Sequence, residues 1–109
     1  MKFAIASSGL ETSSLVDKKF GRCHYFAIYD AENQELAFIN NKFKDSLEGA
    51  GPAAAKFLCE EGVERIVAYE AGNKLKNICD TLAISIIILD NSKEFTIKDV
   101  INIINKNNI

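Results

Sequence analysis

The feature that most constrains this chain is the way its apolar period switches along the sequence. Lys2–Ala6 is a short apolar run that breaks at Ser7-Ser8-Gly9, as a buried strand does. His24–Asp30 (HYFAIYD) and Gln34–Asn41 (QELAFINN) are rich in aromatic and β-branched residues. They flank Ala31-Glu32-Asn33, and together predict a β-hairpin. The period then lengthens. Gly49-Ala50-Gly51-Pro52 opens a helix with Ala54, Phe57 and Leu58 on its apolar face and Gly62 at its end. Pro52 suits the first helical position, where a missing N–H would have had no intrahelical partner. Arg65–Tyr69 predicts another buried strand. After Gly72, Leu75, Ile78, Cys79 and Leu82 recur at helical spacing. Ile84–Leu89 predicts a last strand, and Thr96 caps a final helix with Ile97, Val100, Ile101 and Ile104 turned inward.

The order is therefore β-β-β-α-β-α-β-α. Strands alternating with helices require a parallel portion joined by right-handed crossovers, and the hairpin adds an antiparallel member. The expected fold is α/β: a ribonuclease H-like three-layer arrangement with three helices. Its five-stranded mixed sheet has order 3-2-1-4-5 with strand 2 antiparallel to the rest. Pattern alone leaves a flavodoxin-like order open. At 109 residues, residues 1–109 are expected to form one domain, and 48% apolar with 26% charged residues is the balance of a folded chain. A net charge of −2 supplies no basic field for nucleic acid. The opening apolar run is too short for a signal-peptide core, and no stretch approaches a membrane span. A soluble cytoplasmic protein with neither a nucleic-acid nor a membrane partner is expected.

In open α/β sheets, ligands sit beyond the carboxyl ends of the parallel strands. That edge should gather Ser7–Lys19, Gly49–Pro52, Glu70–Asn73 and Asp90–Phe95. The antiparallel second strand begins there, which adds Phe20-Gly21-Arg22-Cys23-His24. Lys18, Lys19 and Arg22 place three cations within five positions. Gly49 and Gly51 permit close backbone approach at a helix start, whose free N–H groups favour an anion. A thiol beside such cations should have a lowered pKa, and the thiolate is the form that ligates metal, so Cys23 is the cysteine with a chemical role. Cys79, on an apolar helical stripe, reads as core, and Cys59 as structural. His24 is the only histidine, so Cys and His alone cannot complete a conventional metal site. Adjacent residues on a strand face opposite ways, so Cys23 and His24 share a centre only if the chain is irregular there. Otherwise Cys23 acts alone, with a second chain of a homodimer contributing another ligand.

The sequence resembles the dinitrogenase iron–molybdenum cofactor biosynthesis family, the domain shared by NifX, NafY and the C-terminal part of NifB. The resemblance runs through almost the whole chain. It is carried by the opening strand KFAIASS, the loop ending in FGRC-x-YF, the hairpin strand FAIYD, GAG at Gly49–Gly51 and EEGVERIV at Glu60–Val67. The family pattern often has histidine before the FG pair, where this chain has Lys19, and a Gly-x-Gly-Pro-like turn where it has Glu70-Ala71-Gly72-Asn73-Lys74. The resemblance implies the ribonuclease H-like fold. It further implies a non-catalytic role: binding or carrying an iron–sulfur or molybdenum–iron type cluster, or its precursor, in metallocofactor assembly, with cluster donor or acceptor proteins as partners. Cys23 would ligate iron, His24 would be a second ligand, and Lys18, Lys19 and Arg22 would compensate charge.

Two other readings compete. One is a metal-free regulatory or interaction module that binds a small anion or a partner protein at the same edge. The other is a ribonuclease H-like enzyme, which needs carboxylates converging on two cations. That reading is disfavoured, because the first strand carries no acid and Asp90 stands largely alone.

Overall fold

The structure, a computed structural model, describes residues 1–107 and 109. Its strands are β1 (Lys2–Ser7), β2 (Tyr25–Asp30), β3 (Glu35–Asn40), β4 (Val63–Ala68) and β5 (Ser85–Ile88). Its helices are α1 (Ala50–Glu60), α2 (Asn73–Thr81) and α3 (Ile97–Asn105), with a 3₁₀ turn at Phe20–Arg22. The sheet order is β3-β2-β1-β4-β5. β1 runs antiparallel to β2 and parallel to β4, β2 is antiparallel to β3, and β4 is parallel to β5. This is the ribonuclease H-like order, and it removes the flavodoxin-like alternative.

Alternation along β1 explains how the layers pack. Ala4 and Ala6 point to one face, where they join the cluster containing Ala54, Ala55 and Leu58 of α1 and Cys79 of α2. Small residues on both sides let α1 lie close to the sheet. Phe3 and Ile5 point to the other face and pack with Ile97, Val100 and Ile104 of α3. The central strands are thus covered on both sides, which is why their sequences read as continuous apolar runs. Full burial of a side chain such as Leu58 or Ile66 stabilises by about 1.5–3 kcal/mol. α3 opens with a capping box in which Thr96 Oγ1 accepts from Asp99 N and the Asp99 carboxylate accepts from Thr96 N.

Strand bounds fall within one or two residues of the expected ones, and α1 differs at its start. It begins at Ala50, so Pro52 is its third residue rather than its first. Proline is still accommodated, because the N–H groups of the whole first turn lack intrahelical acceptors and the first such bond runs from Ala53 N to Gly49 O. Gly49 caps the helix at φ +71°, a left-handed conformation that a side chain would strain. Among the described residues, no helix is long and apolar enough to cross a membrane.

Candidate anion-binding cleft

At the carboxyl edge of the parallel strands lies a cleft of ≈ 320 Å³, lined by Lys19–Arg22, Gly49–Pro52 and Glu70–Leu75 apart from Asn73. Its size lies at the lower end of small-ligand pockets, about 300–1,000 Å³. Two helices begin on its wall. Neither the Gly49 end of α1 nor the Gly72 end of α2 has a side chain capping its N–H groups, whereas α3 on the other face is fully capped. Uncapped first-turn N–H groups carry partial positive charge and point out of the helix. Lys19, Arg22 and Lys74 add three cations against the single carboxylate of Glu70.

The 3₁₀ turn holds this wall in place. Phe20 is buried against Phe26, with ring centroids 5.0 Å apart. Gly21 lies directly on the first turn of α1, where an added Cβ would stand 2.6 Å from Gly51 N and 2.8 Å from Gly51 Cα. The close approach is therefore at Gly21. A Cβ on Gly51 would meet only Leu75, at an ordinary 3.9 Å, and one on Gly49 would meet nothing, so neither glycine is needed for packing within the protein and both leave open space on the cleft wall. Arg22 donates to the carbonyls of Lys44, at 2.9 Å, and Ser46, so its guanidinium clamps the loop after β3. Because both acceptors are neutral, its charge remains at the cleft rim.

Cys23 behaves oppositely to expectation. It is fully buried, belongs to the core cluster under α1, and does not line the cleft. Burial, with the Asp17 carboxylate adding to it, pushes its thiol up to about 12. The cations do not lower it, because they project into solvent while the sulfur faces inward, 3.8 Å from Asn41 Nδ2. His24 is exposed and outside the cleft, so the two neighbours do face opposite ways and share no centre. Among the described residues, no group of three or more His, Cys, Asp or Glu side chains is placed to hold a metal ion. Lys18 also leaves the site: its Nζ sits 3.7 Å from the centroid of the Tyr69 ring, on a separate hollow shared with Glu94 and Phe95. No residue of Asp90–Phe95 lines the cleft either, and its Glu94 and Phe95 lie on this hollow instead. Cys79 is core, as expected.

The buried thiol has a consequence for stability. The unfolded thiol ionises near 9.0 and the folded one near 12, so the stabilisation is complete below about pH 9 and is lost as pH rises towards 12. Cys79, raised to about 11 by burial and Asp80, acts in the same direction. Urea midpoints measured from pH 8 to pH 10.5 should fall in the parent and fall less steeply in Cys23→Ala, the full loss by pH 12 being on the order of 3–4 kcal/mol at about 1.4 kcal/mol per unit. Parallel slopes would show that the thiol ionises freely in the fold.

Three contributors were not singled out in the sequence. Lys74 could have been found, since it directly follows the Glu70–Asn73 segment assigned to this edge. Gly21 sat inside the FGRC motif, but nothing in the sequence shows that its partner is the Gly51 backbone. Asn41 is a buried amide whose Nδ2 donates to Gly21 O at 3.0 Å and Cys23 O at 2.9 Å, while Oδ1 accepts from Phe43 N at 3.0 Å. Only the tertiary structure shows that it ties the 3₁₀ turn to β3.

An open α/β sheet with a cationic, amide-lined cleft at its carboxyl edge defines a domain suited to binding small anions. The chain belongs to the family described as dinitrogenase iron–molybdenum cofactor, whose sequence profile matches residues 1–106. Membership places it among proteins of metallocofactor binding or biosynthesis. An uncharacterized protein of Methanocaldococcus jannaschii is 30% identical over 70 residues, which is 62% of this chain and 59% of the relative. The match thus spans about three fifths of that curated relative. The fold is similar to the apo form of the orange protein from Desulfovibrio gigas, with a TM-score of 0.86 and 22% identity over 97% of this chain and 88% of that one. A NifB-like protein from Thermotoga, of the DUF35 family, superposes with a TM-score of 0.80 and 27% identity, covering 96% of this chain and 87% of its own.

Proposed function

We propose that this protein binds an anionic metal–sulfur cluster, or the precursor of one, as cargo in the Lys19–Lys74 cleft and passes it between donor and acceptor proteins without transforming it. The observation that carries this reading is the pair of uncapped helix starts opening onto one cleft ringed by Lys19, Arg22 and Lys74. Family membership supplies the class of cargo. The donor set fits a cluster held by charge and N–H···S contacts: the cleft offers backbone amides and ammonium groups, and no thiol or imidazole lines it. Such cargo arrives assembled and keeps its own terminal ligands. The same absence of soft ligands favours a second reading, in which a small oxyanion occupies the cleft with no metal involved.

Anaerobic incubation with iron, sulfide and a small thiol, followed by metal and sulfide analysis of the desalted protein, separates these readings. The parent should retain the cluster. Lys19→Glu/Lys74→Glu should weaken retention by roughly tenfold or more, since reversing two charges needs to remove only about 1.4 kcal/mol to do so. Both side chains are exposed, so its unfolding midpoint should stay near that of the parent. Cys23→Ser should retain the cluster as the parent does. Retention unaffected by the double charge reversal would exclude the cleft, and sulfate binding by a parent that takes up no cluster would favour the oxyanion reading.

A further inference from the structure

The strand β5 ends the sheet with nothing paired to its outer side among the described residues. Its sequence, Ser-Ile-Ile-Ile, carries none of the charges, prolines or bulges that usually guard an exposed edge. Leu89 N donates to Ala68 O, so by strand alternation Ile86 and Ile88 direct their N–H and C=O groups away from β4 towards the open edge. Both side chains fall on the α2 face of the sheet. There they line a concavity of ≈ 580 Å³ together with Lys76, Cys79 and Asp80 of α2. Ile88 is 53% exposed, unusual for isoleucine in the strand of a sheet so well covered elsewhere. Lys76 and Asp80 lie one turn apart on the helix above this edge, and neither forms an ion pair among the described residues.

We propose that the β5 edge pairs antiparallel with β5 of a second copy of this chain about a two-fold axis through Ile87. In that register Ile86 lies opposite Ile88 of the second copy, and the outward N–H and C=O groups of both residues close a set of reciprocal backbone bonds. The two α2 helices then run antiparallel across the axis, so Lys76 of each copy faces Asp80 of the other. A plus–minus pair spaced by one turn is complementary to itself under two-fold rotation, which is what identifies a second copy, rather than an unrelated strand, as the occupant. The pairing joins two five-stranded sheets into one and leaves the cleft at Lys19 and Lys74 open.

Sedimentation velocity of the full chain over a concentration series of roughly two decades tests this. The parent should pass from monomer to dimer. Ile88→Lys should shift the dissociation constant upward by at least about tenfold, because it seats an unpaired cation opposite Ile86 of the other copy in a desolvated strand pair. Lys76→Glu should weaken the dimer, and Lys76→Glu/Asp80→Lys should restore it, a rescue that a merely structural effect would not produce. Hydrogen exchange at the Ile86 and Ile88 amides should slow only at dimeric concentrations. A chain that stays monomeric throughout, a dimer indifferent to Ile88→Lys, or a double charge swap without rescue would each overturn the proposal.

Discussion

Replacing Gly21 by alanine is expected to destabilise the protein by about 2–4 kcal/mol and to abolish cluster retention in whatever fraction stays folded. The added methyl carbon would lie 2.6 Å from Gly51 N and 2.8 Å from Gly51 Cα, both backbone atoms in the first turn of α1. Neither side can give way cheaply. The 3₁₀ turn is anchored by buried Phe20 and by the Asn41 amide on Gly21 O, and α1 is anchored by Ala54, Ala55 and Leu58 in the core. Relief requires moving the turn off the helix, which parts the two walls of the cleft. Gly51→Ala is the control, since its methyl group meets only Leu75 at 3.9 Å. Its stability should change by less than about 1 kcal/mol, the helix preference for alanine over glycine working in its favour. Urea denaturation of the two variants checks the contrast. Equal midpoints would mean that the turn does not bear on the helix as described.

Asn41→Ala is expected to cost a comparable amount, about 3 kcal/mol. It strands the buried carbonyl of Cys23 and the part-buried carbonyl of Gly21 without their donor and Phe43 N without its acceptor, each worth roughly 1–3 kcal/mol where water does not replace the partner. Asn41→Asp separates chemistry from volume. It keeps the acceptor for Phe43 N and turns the donor into a carboxylate oxygen facing two carbonyls, which raises the pKa of the new acid. Its stabilising form is the protonated one, so the variant should be weakest at neutral pH and should recover part of its stability as pH falls through that raised value. Thermal unfolding at pH 5 and pH 7.5 reads the difference. A variant as stable as the parent at both values would show that Nδ2 makes no bond that matters.

These two residues mark where the sequence stops being legible. Strand and helix positions follow from local periodicity, since burial on one face imposes a repeat of two or of about 3.6 on residues only a few positions apart. The order 3-2-1-4-5 follows from connection rules that depend only on the sequence of elements. The edge where ligands gather follows in turn, and Lys19, Arg22, Gly49 and Gly51 were all found on it. Asn41, by contrast, closes a strand and could have faced solvent. Its value comes from carbonyls about twenty positions away.

The sequence by itself determined the alternation of elements, the mixed sheet and the cationic, glycine-bearing edge, because each depends on short-range pattern or chain topology. Only the tertiary structure decided what each residue of FGRC does there. Phe20 anchors, Gly21 seats the turn on α1, Arg22 clamps the following loop, and Cys23 turns into the core with its thiol held neutral. Neighbours in sequence alternate between cleft and core, and proximity along the chain cannot say which. Burial and the Asp17 carboxylate act together to hold the Cys23 thiol neutral, while the cations that suggested a thiolate project into solvent away from the sulfur.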